Sequence, residues 1–154
     1  MKQRTKILTD VAVRLNDKFN LATGSDIQLF RSVRRGAWRP GNAIRPALTV
    51  VDDGQAIESP NDEEGRMLTL RYKIVIDLAE NWDRQTPMED WSDRVETIWV
   101  CLQNWMVVGT GMLRHDYISD DPFDVIVAQG KSETIWVIEM EARYVADVGD
   151  MDKA

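Results

Sequence analysis

The sequence predicts an α+β two-layer sandwich: a mostly antiparallel sheet with two helices packed on one face and long projecting strands. Three observations lead to this fold class. Segment 67–80 places an apolar residue at every second position from Leu68 to Leu78, as a half-buried strand does. Segments 3–19 and 87–106 instead repeat apolar residues every three or four positions, as amphipathic helices do. The predicted strands fall in groups on either side of the second helix, an order typical of hairpins packed against helices.

The first helix and two short strands account for the N-terminal third. The helix is predicted over 3–19, and its apolar stripe consists of Ile7, Leu8, Val11, Ala12, Leu15 and Phe19. Alternation over 27–33 predicts a short strand. Glycine and proline punctuate 34–46, which indicates a loop. The apolar, β-branched run 47–51 predicts a buried strand.

The central strand is expected to form the second limb of a wide hairpin. The acidic connection 52–66 precedes it, and its length is typical of functional or disordered loops. The apolar row of the strand is expected to be buried against both helices. It consists of Leu68, Leu70, Tyr72, Ile74, Ile76 and Leu78. Arg71, Lys73 and Asp77 point the other way, so they are expected to line a subunit contact or the lumen of a ring.

The second helix has the clearest start signal in the chain. Thr86 is a candidate N-cap, Pro87 occupies the first helical position, and Glu89 completes a capping box. The apolar stripe that follows is expected to end at 107–111. Strands are then predicted over 123–128 and 133–145, joined by a turn at 129–132, and the polar tail 147–154 is expected to be frayed.

The length of the strands is large for the size of the domain. Thirteen extended residues span roughly 43 Å at about 3.3 Å each. A compact domain of 154 residues has a diameter of roughly 40 Å. Either a bend or bulge shortens these strands, or they form an arm or exposed edge that contacts neighbours.

Composition predicts a single domain over 1–154 and excludes several classes of protein. The net charge of −7 argues against general nucleic-acid binding. No apolar run approaches the roughly 18 residues of a membrane span, and the charged N-terminus predicts no secretory signal. The single cysteine rules out an internal disulfide framework.

No catalytic motif stands out, so we expect neither an enzyme, nor a cofactor, nor a metal site. His115 and Asp116, with acidic residues after them, could bind a metal or serve a small hydrolase, but their spacing matches no zinc or calcium pattern. Cys101 is expected to be a buried, inert residue of the second helix. Segment 109–111 follows a helix rather than a strand and is not a phosphate loop.

The charges are segregated along the chain. Segment 31–45 is arginine-rich and contains Trp38, whereas 52–64 is acidic and has no basic residue. If these segments lie on opposite flanks, they are complementary head to tail, and such contacts close into rings. The residues predicted for a subunit or tube interface are Arg34, Arg35, Trp38, Arg39, Asp62, Glu63 and Glu64. A nucleic-acid patch and local pairing of the two loops stay open as alternatives.

The order of these features resembles a family of bacteriophage proteins. An N-terminal helix leads to Arg45-Pro46-Ala47-Leu48 at the start of a strand, then an acidic loop, the strand RYKIVIDL at 71–78, a helix begun by proline and a closing hairpin. This layout is similar to that of tail terminator, or tail-completion, proteins of long-tailed phages, the family of the lambda minor tail protein U. The chain differs from the smallest members in its longer 52–66 loop and its tryptophan content.

The resemblance implies a structural virion protein without catalytic activity. It implies a homo-oligomer, a hexameric ring, that caps the tail tube, stops tube polymerisation and docks to the head–tail connector or neck protein. DNA would pass through the ring without specific binding, and no membrane would be involved. The protein would assemble in the host cytoplasm and end in the virion. The alternatives are a head–tail connector or neck subunit, and a nucleic-acid-binding module using the 31–45 segment.

Overall fold

The computed structural model describes residues 2–20, 30–38, 46–57, 66–77, 88–128 and 131–146. Its elements are α1 (Gln3–Phe19), β1 (Ser32–Arg35), β2 (Ala47–Ile57), β3 (Arg66–Asp77), α2 (Met88–Val100), β4 (Met112–Ala128) and β5 (Lys131–Ala146). This order confirms the predicted α+β class. The expected cap at Thr86 and Pro87, the strand positions Ile27, Leu29 and Leu78, and the tail 147–154 lie outside these residues.

The strands form one five-stranded sheet in the order β1-β2-β3-β5-β4. Only β1 and β2 pair in parallel; the other neighbours in the order are antiparallel. The central pair, β3 and β5, keeps one register from Arg66 opposite Ala146 to Asp77 opposite Ile135. β1 and β4 therefore form the two edges of the described sheet.

The core lies between one face of the sheet and the two helices, as the alternation of β3 predicts. β3 buries Leu68, Leu70, Tyr72, Ile74 and Ile76 on that face. The helical stripes that pack into the same cluster consist of Ile7, Leu8, Val11, Leu15 and Phe19 from α1 and Trp91, Val95 and Ile98 from α2. We call the opposite face of the sheet, which is turned away from α1 and α2, the outer face. None of the helices in the described parts is long and apolar enough to cross a membrane.

Two predicted loops turn out to be partly strand. Arg34 and Arg35 belong to β1, and β2 continues past Val51 to Ile57. The cause is pairing between strands that are distant in sequence: β2 follows β3 as far as Ile57 opposite Leu68, with a register shift between Asp52 and Gln55. The predicted wide hairpin of β2 and β3 is therefore confirmed, with a longer first limb.

The boundary between α2 and β4 was predicted wrongly. α2 ends at Val100, so Cys101 follows the helix instead of lying inside it. Tighter hydrogen bonds such as Leu102 N–H to the Trp99 carbonyl (3.0 Å) end the helix, and Asn104 adopts a positive φ of 62°. β4 then begins at Met112 rather than at 123 and includes the aspartates that suggested a turn.

Bulges interrupt the longest strand, which is one of the two alternatives expected from its length. β4 has 17 residues, which would span about 56 Å if straight, but register shifts interrupt its pairing with β5 at three places. The end of the β4–β5 hairpin also extends further than β3 does. Pairing of β3 with β5 stops at Ile135, and within the described residues Lys131–Thr134 pair with β4 alone.

Candidate functional site

The middle of the outer face carries a ladder of opposite charges. Arg71 and Lys73 of β3 lie there, as predicted, directly opposite Glu141 and Glu139 of β5. Arg71 Nε is 3.4 Å from Glu141 Oε1, and Lys73 Nζ is 3.9 Å from Glu139 Oε1. Lys73 Nζ also lies 3.8 Å from Asp53 Oδ2. Such exposed pairs contribute about 0–1 kcal/mol each to stability, so their main effect is to neutralise the surface.

A shallow cleft crosses this charged part of the outer face. Its volume is ≈ 310 Å³, and it is lined by Asp53, Arg71, Tyr72, Ile118, Glu139, Met140 and Glu141. Ile118 of β4 is 47% exposed and provides an apolar side chain at the rim. Paired charges around one exposed apolar group are typical of a protein contact.

Asp77 shares the outer face with Arg71 and Lys73 but is fully buried, with 0% of its surface exposed. The indole Nε1 of Trp38 donates a hydrogen bond to Asp77 Oδ2 at 3.4 Å. The prediction that Asp77 lines an exposed lumen or contact is therefore corrected: a side chain from beyond β1 covers this end of the face. Alternation along a strand predicts which face of the sheet a residue lies on, but it does not predict which other side chains cover that residue.

The predicted interface residues of β1 point to different faces. Arg34 stands opposite Thr49 on the outer face, whereas Arg35 points to the helix side, where its Nη1 donates to Thr9 Oγ1 at 3.3 Å. The two arginines therefore do not form one basic patch. Arg39, Asp62, Glu63 and Glu64 lie outside the described residues.

One row of residues crosses the outer face from edge to edge in continuous register. Arg34 pairs with Thr49, Thr49 with Val75, Val75 with Val137, and Val137 with Asp121. We call this set the transverse row. Its interior is buried or half-buried, while a cation occupies the β1 end and an exposed carboxylate occupies the β4 end. The alignment of Thr49 and Asp121 with Arg34 is not visible in the sequence, because only the pairing of distant strands produces it.

Two members of the transverse row have buried polar atoms without partners. Nε and Nη2 of Arg34 and Oγ1 of Thr49 are buried, and no described residue lies within hydrogen-bonding distance of them. Leaving a buried polar group unpaired costs about 1–3 kcal/mol. Thr49 is 0% exposed, so its unpaired hydroxyl lowers the stability of the folded chain.

Replacing Thr49 by valine is therefore expected to stabilise the protein by about 1 kcal/mol, since valine keeps the branched shape and removes the unpaired hydroxyl. Urea denaturation measures the change. Thr110 provides the matched control, because it is equally buried but its hydroxyl donates to the Val107 carbonyl at 2.7 Å. Thr110→Val should destabilise; a Thr49→Val variant that loses as much as Thr110→Val would contradict the assignment.

His115 is a buried structural residue, which argues against both roles considered for it. Its Nδ1 lies 3.1 Å from the Trp105 carbonyl, which can only accept, so Nδ1 carries the hydrogen. Nε2 then accepts a hydrogen bond from the Tyr72 hydroxyl. Burial lowers the pKa of His115 to about 4, which keeps the imidazole neutral near pH 7.

His115 and Asp116 point to opposite faces of β4 and cannot act together. Asp116 stands opposite Glu141 on the outer face and pairs with Arg114, Oδ2 to Nε, at 2.7 Å. Within the described parts of the chain, no three histidine, cysteine or acidic side chains come together as metal ligands. Cys101 is also held internally: its Sγ lies 3.0 Å from the Ile98 carbonyl, and burial raises the pKa of its thiol.

The outer face thus combines paired charges and an exposed apolar side chain. These groups can hold another protein surface. The one histidine is enclosed in the core and does not lie on this face. No protein-family model and no curated protein matches this chain.

Proposed function

We propose that this chain is a structural virion protein, the tail terminator of a long-tailed bacteriophage. It forms a ring, a hexamer, that caps the tail tube, stops tube polymerisation and docks to the head–tail connector or neck protein. It assembles in the host cytoplasm and remains in the virion without a catalytic role, a cofactor or a membrane. The observation that carries the proposal is the long β4–β5 hairpin, whose end extends further than the rest of the described sheet.

The hairpin suits a protein that must contact neighbours on more than one side. Lys131–Thr134 add about 13 Å beyond the last pair of β3 with β5. Within the described sheet, this stretch of the hairpin has β4 as its neighbour and no described strand on its other side. A tube subunit or an adjacent terminator subunit could bind along it.

The charged ladder suits a ring through which DNA must pass. Arg71 and Lys73 each lie within 4 Å of a carboxylate, so the described part of the outer face presents no isolated cation around the cleft. Phosphates gain little from cations that are already paired, and the net charge of −7 repels DNA. We assign Arg71 and Lys73 to the lumen or to a subunit contact on this basis.

A nucleic-acid-binding module is supported less well. Such a module needs several accessible cations on one surface, usually with aromatic side chains between them. Arg34 and Arg35 diverge to opposite faces of β1, and the indole N–H of Trp38 is directed to Asp77.

The test is electron microscopy of phage tails assembled with and without this chain. Without it, we expect tube polymerisation to continue, giving tails longer than normal and without heads. Supplying the intact chain should restore normal length and head attachment. Tails of normal length in its absence would rule out a terminator; if those tails also failed to join heads, the chain would instead be a connector or neck subunit.

A further inference from the structure

The charged ladder in the middle of the outer face is sorted by strand. Its cations, Arg71 and Lys73, stand two positions apart on β3, and its carboxylates, Glu141 and Glu139, stand opposite them on β5. A line drawn between β3 and β5 therefore divides this part of the face into a basic row and an acidic row.

The side chains of the charged ladder are accessible from outside the chain. Those of Arg71, Lys73 and Glu139 are 62%, 36% and 48% exposed. Their pairs within the chain are loose, at 3.4 Å for Arg71 with Glu141 and 3.9 Å for Lys73 with Glu139. Well-formed hydrogen bonds between such charges are about 2.7–2.9 Å long, so each group can accept a second partner of opposite charge.

The arrangement of the two rows is complementary to itself. Half a turn about an axis that runs along the strands, between β3 and β5, exchanges the basic row with the acidic row. In two copies stacked in this way, Lys73 faces Glu139 and Arg71 faces Glu141. An axis across the strands would leave β3 over β3 and cations over cations. The charges therefore select one isologous arrangement of two copies.

Apolar residues beside the charged ladder fit the same arrangement. The rotation also exchanges β2 and β4, the strands that flank the central pair. Val51 of β2 pairs with Lys73, and Ile118 of β4 lies next to Ser119, which pairs with Glu139. Ile118 of each copy therefore meets Val51 of the other on both sides of the charges. Such flanking contacts exclude water from the centre of an interface.

We propose that the outer faces of two copies stack about a two-fold axis, so that Lys73 pairs with Glu139 of the partner subunit. Stacked sheets lie about 10 Å apart, a distance that one basic and one acidic side chain span together. This contact goes beyond the proposed ring. A two-fold contact ends at two copies, so it pairs two chains or two rings and does not close a ring. It assigns Arg71 and Lys73 to a subunit contact rather than to the lumen.

A partner of uniform charge fits this surface less well. A DNA phosphate backbone or a basic peptide would be attracted by one row and repelled by the other, which lies one strand away. A partner that presents the two rows in reversed order satisfies both. A second copy, rotated by half a turn, presents that order.

The test uses Lys73→Glu and Glu139→Lys chains, separately and mixed in equal amounts, with mass measured by analytical ultracentrifugation. The natural chain should form dimers that weaken as salt is added. Each variant alone meets like charges twice across the axis, so its dimer should be at least about 30-fold weaker. In the mixture, both contacts join an acid to a lysine, so one-to-one dimers should return. Mixing leaves the repulsion inside each chain unchanged, so recovery reports contact between chains.

Lys6→Glu and Asp10→Lys serve as matched controls. These residues form a similar pair within the chain, with side chains 40% and 35% exposed, but they belong to α1, on the other side of the sheet. Both control chains should dimerise like the natural chain. Ile118→Ser is a second variant that keeps every charge, and it should weaken the dimer about 5- to 10-fold. Far-UV circular dichroism checks the fold of each chain.

Three results would overturn the contact. They are a natural chain that stays monomeric at low salt, a natural dimer that Lys73→Glu or Ile118→Ser leaves unchanged, and a mixture of folded variants that stays monomeric. None of them depends on tail length or on ring closure, so the contact and the proposed function can fail separately.

Discussion

Lowering the pH from 7 to 4 is expected to remove about 3 kcal/mol of stability through His115 alone. Burial lowers the pKa of this imidazole from 6.5 to about 4 in the folded chain. Each unit of difference between folded and unfolded values corresponds to about 1.4 kcal/mol. Because the pKa of His115 is lower in the folded chain, the unfolded chain binds the proton first as the pH falls. The contribution of neutral His115 to the free energy of unfolding is therefore complete above about pH 6.5 and is lost as the pH falls toward 4.

The surroundings of His115 explain why the charged form is excluded. The ring lies between Tyr72 and Trp105, with ring centroids 5.7 Å and 6.1 Å away, and its surface is 0% exposed. Asp116 favours the charged form and Arg14 opposes it, but both effects are smaller than that of burial. Protonation would also place a second hydrogen on Nε2, which now accepts from the Tyr72 hydroxyl.

Two measurements check this expectation. His115 is the only histidine of the chain, so a single imidazole signal reports its titration by NMR. Its midpoint should lie near 4, or merge with acid unfolding. Carboxyl groups also titrate in this range. The pH dependence of stability is therefore compared with that of the His115→Gln variant, which has no imidazole to titrate. Parallel stability curves for the two chains between pH 7 and 4, or an imidazole midpoint near 6.5, would refute the assignment.

Local patterns predicted the parts of the fold whose causes are local. The alternation of β3 identified its buried row, and the spacing of α1 identified its bounds and its core residues. The end of α2 and the start of β4 were misplaced because their cause is not local. A helical stripe continues in the sequence to Met106, but the chain leaves the helix at Val100 to cover the edge of β4.

The outer face was predictable only in part for the same reason. Arg71 and Lys73 could be assigned to it from alternation, yet Asp77, two positions further, is buried beneath Trp38. The transverse row depends on four strand registers, none of which is encoded in one segment. Asp121-Pro122 has the composition of a turn, and only its position opposite β5 makes it part of an edge strand.

Gly111→Ala is expected to destabilise the fold by about 3 kcal/mol, because this glycine lies where α1, β4 and β5 meet. Its φ of +70° costs a residue with a side chain about 1–2 kcal/mol. An added Cβ would also come within 2.8 Å of the Val145 carbonyl oxygen and 3.3 Å of Gln3 Nε2. Gln3 Nε2 donates to that carbonyl and to the Thr110 carbonyl, both at 2.8 Å, so the substitution would displace these bonds.

Gly109 isolates the backbone contribution from the steric one. Its φ is +78°, but a Cβ placed there would meet no atom within 4 Å. Gly109→Ala should therefore cost only about 1–2 kcal/mol. For a chain of this size, a loss of 3 kcal/mol lowers the melting temperature by about 6–12 °C. Equal melting temperatures for the two variants would show that contact with Val145 and Gln3 is unimportant. A lower melting temperature for Gly111→Ala than for Gly109→Ala would instead show that this junction fixes α1 to the long hairpin.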